Sequence, residues 1–269
     1  MLVDLHVYTS ASGGPSLEQA VAHAQELGLS ALAVADRHAS AQSARRVAAG
    51  EFGEFPVFVG VELATAAGDV LVFVPELGPF LLREEWRELE VLGLPELSDV
   101  VDLAERHGGV VLGVHAYDRK RARAPRDRVF SLEALAGLEV WTSTSDALAN
   151  SLALESGSRA PVGAFAGTAS MSARPLRSQW ATLFAKEIAT QGELVTALRV
   201  GDFWPVDISD HRAPRPSSDD RGSRARSDRG ERGDRGERSD RGGRGDRPDR
   251  GERSDRGGRG GDRDRRPRR

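Results

Sequence analysis

Apolar positions along the first two hundred residues fall into short continuous runs separated by amphipathic stretches. The runs are "LVDLHVY" (Leu2 to Tyr8), "ALAVAD" (Ala31 to Asp36), "PVFVGVEL" (Pro56 to Leu63), "DVLVFVP" (Asp69 to Pro75), "GVVLGVHAY" (Gly109 to Tyr117), "GLEVWTS" (Gly137 to Ser143), "PVGAFAGT" (Pro161 to Thr168), "WATLFA" (Trp180 to Ala185) and "FWPVDI" (Phe203 to Ile208). Strands that are apolar along their whole length, rather than alternating, are covered on both faces. Between them, "PSLEQAVAHAQELG" carries a helical stripe of Leu17, Ala20, Val21, Ala24 and Leu27, with Ser16 and Gln19 spaced as a capping box. "PELSDVVDLAERHG", "TSDALANSLALESG" and "QGELVTALRVG" are further helices. Buried strands alternating with amphipathic helices predict an α/β protein with a largely parallel sheet. About seven such units in some 208 residues predict a small, distorted (β/α)7-type barrel of the TIM-like kind, in which chemistry sits where strands reach their carboxyl ends.

Composition then splits the chain. Residues 211–269 hold 21 of the 38 basic residues but 13 of the 41 acidic ones, a net charge of +8, and the first 210 residues stand at −11. The tail, built almost wholly of Arg, Asp, Glu, Gly, Ser and Pro, offers essentially no apolar surface to offset the entropy of ordering, so residues 209–269 are expected to be a disordered polyampholyte after a barrel domain over 1–208. With no cysteine, thiolate metal sites and disulfides are excluded. No apolar run is long enough for a membrane span and the first residues enter a strand directly, so the expected setting is the cytoplasm. Nothing in the pattern sets an oligomeric state.

Polar residues gather at the carboxyl ends of the strands. His6 ends the first, Asp36 and His38 follow the second, Glu62 ends the third, His115 ends a later one and Glu139 lies in the next. Residues two apart in a strand share a face, which pairs His6 with Tyr8. So many buried histidines and carboxylates in equivalent places need partners, and imidazole with carboxylate suits zinc, manganese or iron. A carboxylate such as Glu62 could bridge two metals in phosphoester hydrolysis.

The ordered stretches "DLHVYTSASGG", "LGLSALAVADRH", "GVEL", "LGVHAY", "LEVWTS" and "AGTAS" resemble the PHP superfamily, named for polymerase and histidinol phosphatase, over about Met1 to Pro205. The resemblance implies a distorted barrel with a trinuclear metal site for phosphoester hydrolysis. It places His6, Glu62 and His115 at metal-ligand positions, and Asp36 and Glu139 at motif positions that orient ligands or serve as a base. It also exposes departures. Tyr8 stands where the family has a second histidine, and Arg37 takes a motif histidine's place with His38 displaced by one. Ala116 replaces a proline, and Thr168 and Ser170 stand for an aspartate and a histidine. Neutral tyrosine, threonine and serine are poor ligands at pH 7. The resemblance therefore implies one divalent metal at most, with weak or absent hydrolysis. The alternative is a metal-free remnant in which His6, Glu62 and His115 satisfy one another by hydrogen bonds.

Two basic features add binding chemistry. "YDRKRARAPRDR" (Tyr117 to Arg128) follows the His115 strand, and its Arg119, Lys120, Arg121 and Arg123 are candidate ligands for the phosphate of a small phosphoester or of a nucleic acid. The tail's Arg-Gly spacing resembles RNA-binding segments, although acidic residues interrupt it and it has no aromatic residue for base stacking. A non-catalytic scaffold using both features predicts nucleic-acid affinity that falls steeply with salt. Filter binding should show that affinity largely lost when residues 211–269 are deleted; unchanged affinity would exclude the tail.

Overall fold

A computed structural model describes residues 1–37, 40–132, 134–169 and 180–209. Contacts divide the chain into Met1–Pro216 and Ser217–Arg269, and the second unit, with the expected disordered tail, lies outside the described residues. Nine strands and seven helices follow in order among the described residues. They are β1 (Leu2–Val7), α1 (Leu17–Glu26), β2 (Ala31–Arg37), α2 (Ser40–Ala48), β3 (Val57–Thr65), β4 (Gly68–Phe73), α3 (Leu77–Leu81), α4 (Glu84–Leu92), α5 (Leu97–Arg106), β5 (Val110–Gly113), β6 (Gly137–Thr142), α6 (Ala147–Gly157), β7 (Gly163–Gly167), β8 (Trp180–Phe184), α7 (Gln191–Val200) and β9 (Phe203–Asp207). The expected capping box starts α1, where Ser16 Oγ accepts from Gln19 N–H and the Gln19 side chain accepts from Ser16 N–H.

All nine apolar runs form strands of one sheet, in the order β7-β6-β5-β4-β3-β2-β1-β8-β9. The sheet is less parallel than the pattern predicts. β1–β2–β3 and β5–β6–β7 are parallel, while β4, β8 and β9 pair antiparallel with their neighbours. For β4 the reason is local: Ala66 and Ala67 alone join it to β3, and so short a connection makes only an antiparallel hairpin. The sheet curls until β7 lies against β1 and β8, leaving a nearly closed barrel. Ala169 N–H donates to His6 O at 2.7 Å, and Thr182 Oγ1 exchanges hydrogen bonds with Ala166 N–H (3.0 Å) and O (2.8 Å).

Alternation along the strands decides what enters the barrel. Ala31, Ala33 and Ala35 of β2, Phe58 of β3, Leu71 and Phe73 of β4, Leu112 of β5 and Phe165 of β7 fill its interior with Leu194, Val195 and Leu198 of α7. Val7, Leu32 and Val34 face outward onto α1. β1 carries one extra residue between Asp4 and Val7 in its pairing with β2. That bulge changes the phase of the strand, so Val3 and Leu5 enter the interior below while His6 and Tyr8 enter it above. Glycines let the opposing walls meet: a Cβ on Gly167 would lie 2.5 Å from His6 Cβ and 2.9 Å from its backbone N. Gly167→Ala should cost about 1–3 kcal/mol in denaturant unfolding by forcing β7 away from β1. An unchanged midpoint and slope would show that β7 is not held there.

Candidate functional site

The carboxyl ends of the strands converge on Glu62. β2 and β3 pair Arg37 with Glu62, and β3 and β4 pair Glu62 with Leu71, so Arg37, Glu62 and Asp69 continue the inward faces of their strands. His6 is buried between two carboxylates, with Nδ1 2.9 Å from Glu139 Oε1 and Nε2 3.2 Å from Glu62 Oε2. Tyr8 O–H donates to Glu62 Oε2 and lies 3.4 Å from His115 Nε2. Its ring meets that of His6 edge-on at 5.0 Å, as their shared strand face requires.

His115 follows β5 with φ at 54°, a left-handed conformation uncommon outside glycine. The turn aims its backbone N–H at Glu139 Oε2, 3.2 Å away. His115 Nδ1 is 3.4 Å from the same oxygen but is not aligned for a hydrogen bond, and it is a buried nitrogen left without one. One ligand atom from each of His6, His115 and Glu139 lies within 4.8 Å of the others, all three residues buried, so these three could hold one metal ion.

Basic groups complete the cluster. Arg37 Nε donates to Glu62 Oε1 at 3.3 Å and Arg37 Nη2 to Tyr8 Oη at 3.2 Å. Arg121 Nη1 reaches the same Glu62 oxygen at 3.4 Å and also Asp69 Oδ2, with Asp118 3.9 Å from its Nε. Of the basic loop, Arg121 is half-buried, whereas Arg119, Lys120 and Arg123 are exposed. His115, Lys120, Arg121 and Arg123 line a cleft of about 230 Å³ with Asp69 and Val114. A larger cavity of about 700 Å³ lies between β8 and α7 at the opposite end of the barrel and includes none of these residues.

Asp36 is placed differently. Alternation along β2 turns it away from Arg37, and it accepts from Thr9 N–H (2.7 Å), Thr9 Oγ1 (2.6 Å) and Ser43 Oγ (3.3 Å). It fastens the turn after β1 to β2 and α2. Thr168 N–H donates to Asp4 Oδ1 at 3.0 Å, and its hydroxyl donates to the His6 carbonyl at 3.4 Å, so it serves the closure of the barrel. His38 and Ser170 lie outside the described residues. Strand-end reading brought His6, Glu62, His115 and Glu139 together but missed the roles of Asp69 and Asp4. Asp69 was legible in principle, since the β3–β4 hairpin register puts it on the inward face beside Val114.

Electrostatics follow from burial. Desolvation alone would make His6 neutral, but the charges and hydrogen bonds of Glu139 and Glu62 outweigh it and push its pKa up to about 10. Glu62 shows the converse balance: burial would raise it, and the hydrogen bond and charge of His6 hold it well below the usual carboxylate range. Burial, then Glu62, keeps the Tyr8 hydroxyl a neutral donor, and burial pushes His115 down toward its neutral form.

No protein-family model matches the sequence, and no curated protein is similar to it. Solved structures do match in fold. PsfC from Pseudomonas syringae superposes with a TM-score of 0.57 and 15% identity, covering 77% of this chain and 91% of PsfC. A putative metal-dependent phosphoesterase from Bifidobacterium adolescentis superposes with a TM-score of 0.52 and 16% identity, covering 74% of this chain and 96% of that one. The chain thus has the distorted barrel fold of these proteins, as its resemblance to the PHP superfamily implied. Among the described residues no helix is long and apolar enough to cross a membrane.

The raised pKa of His6 has a sign that can be measured. A cation with a folded-state pKa of about 10 and an ordinary value of 6.5 contributes its full stabilisation below pH 6.5. That contribution falls as pH rises toward about 10. In chelator, thermal unfolding should show a loss of stability over this range that is absent in His6→Gln. Parallel profiles for the two proteins would mean that His6 is not held charged.

Proposed function

We propose that the barrel binds a phosphoester at its mouth beside His115, over one divalent metal held by His6, His115 and Glu139, and that its hydrolytic activity is weak. The observation that supports this most is the meeting of a buried His-His-Glu cluster with a basic cleft, His115 belonging to both. Two imidazoles and a carboxylate are a donor set of catalytic zinc sites and suit manganese or iron. The unbonded, buried His115 Nδ1 is a nitrogen whose cost a metal would relieve. Bound there, the metal would supply a Lewis acid for activating water and countering phosphate charge.

The chain's own residues do the positioning. Glu139 fixes both histidines, His6 through its ring and His115 through its backbone N–H. Tyr8 backs the His115 ring, and Asp36 anchors the Thr9 turn that follows Tyr8. Lys120, Arg121 and Arg123 receive the phosphate, with Arg119 on the same loop at its exposed rim. A second reading, a non-catalytic protein that binds phosphoester or nucleic acid without metal, draws on one observation: Glu62 is already engaged by His6, Tyr8, Arg37 and Arg121 and has no oxygen left to bridge metals.

Elemental analysis of the full chain, supplied with zinc, manganese and iron and washed with mild chelator, should find one metal per chain. Glu139→Gln should lose it, and His115→Ala should lower phosphomonoesterase turnover by about 100-fold or more. A metal-free protein without turnover would reject the hydrolase in favour of the second reading.

A further inference from the structure

Arg37 and Arg121 meet on Glu62 at the mouth of the barrel. Both guanidinium groups use the same carboxylate oxygen, at 3.3 and 3.4 Å, and Tyr8 ties Arg37 to the other oxygen. Contacts of that length fall short of close charge-assisted hydrogen bonds, and Arg121 makes its shorter contact to Asp69 Oδ2, so a second carboxylate stands beside the pair. The carboxylate is 2% exposed, whereas the side chains of Arg37 and Arg121 are 38% and 26% exposed, so their outer faces open on solvent at the mouth of the barrel. A guanidinium has five N–H donors, and Glu62 and Tyr8 engage only the Nε and Nη2 groups of Arg37. Arg37 Cζ also lies over the Tyr8 ring, 5.1 Å from its centroid.

We propose that Arg37 and Arg121, seated on Glu62 and Tyr8, form a clamp that binds the dianionic phosphate of a phosphomonoester without a metal. Glu62 is then a positioning residue rather than a metal ligand. Its buried charge, with Asp69 on Arg121, holds two cations close enough together to receive one tetrahedral dianion, whose oxygens match guanidinium forks. A phosphodiester, with one charge, is held less tightly. The proposal deepens the reading of the mouth as a phosphoester site but does not depend on its metal.

Isothermal titration of the full chain with inorganic phosphate and phenyl phosphate, in chelator, tests it. Both should bind, dimethyl phosphate should bind more weakly, and Arg37→Met or Arg121→Met should lower phosphate affinity by about tenfold or more. Should Arg37→Met fail to fold by circular dichroism, Arg37→Lys decides: it keeps the charge, loses the fork, and should also bind more weakly. Phosphate binding that needs added metal would overturn the clamp and leave the metal-centred function standing. So would binding that survives Arg37→Lys unchanged but is lost in Lys120→Met or Arg123→Met. Binding in chelator by a protein that holds no metal and shows no turnover would support the clamp alone.

Discussion

A buried carboxylate that must be neutralised governs the upper half of this barrel. Glu62 is nearly inaccessible, and an unpaired ion there would cost several kcal/mol even after the protein relaxes around it. His6, Tyr8, Arg37 and Arg121 all turn toward it from three segments: two from β1 and the turn after it, one from the end of β2, one from the loop after β5. In a site built for several metals, the ions would supply the countercharge. Here His6, Arg37 and Arg121 supply it, and the neutral Tyr8 hydroxyl adds a hydrogen bond.

Geometry of the barrel creates the need. Below the site the interior is filled by phenylalanines and aliphatic side chains, and above it the strands run out into loops. The bulge in β1 brings His6 and Tyr8 inside without giving up Val3 and Leu5, and the left-handed turn at His115 brings a second imidazole back over β6. Glycine at position 167 lets β7 press against the His6 backbone, so barrel closure and ligand placement are one event. Glu139 then links β6 to both histidines.

Much of this was legible in the chain itself. Nine continuous apolar runs announce nine strands, and most of these are buried on both faces, whereas β9 leaves Trp204 exposed. Helices α2, α3 and α4 are absent from that reading, although "SAQSARRVA" and "EEWRELEVL" are as amphipathic as stretches read there as helices. The parallel bias was overestimated because a run of apolar residues records burial and not direction; only the short Ala66–Ala67 link reveals the hairpin. Within the site, His6, Glu62, His115 and Glu139 could be named from strand ends. Asp36 and Arg37 show what position alone cannot resolve: they are adjacent, and alternation gives the barrel to the arginine and the outer face to the aspartate. The bulge that sets the phase of β1 has no signature in the residues around it.

Anomalous diffraction from a crystal of the full chain grown with zinc would test this account most directly. It predicts a single zinc peak among His6, His115 and Glu139, with Arg37, Arg121 and Tyr8 still seated on Glu62. Two or more peaks bridged by Glu62, with both arginines swung away, would contradict it.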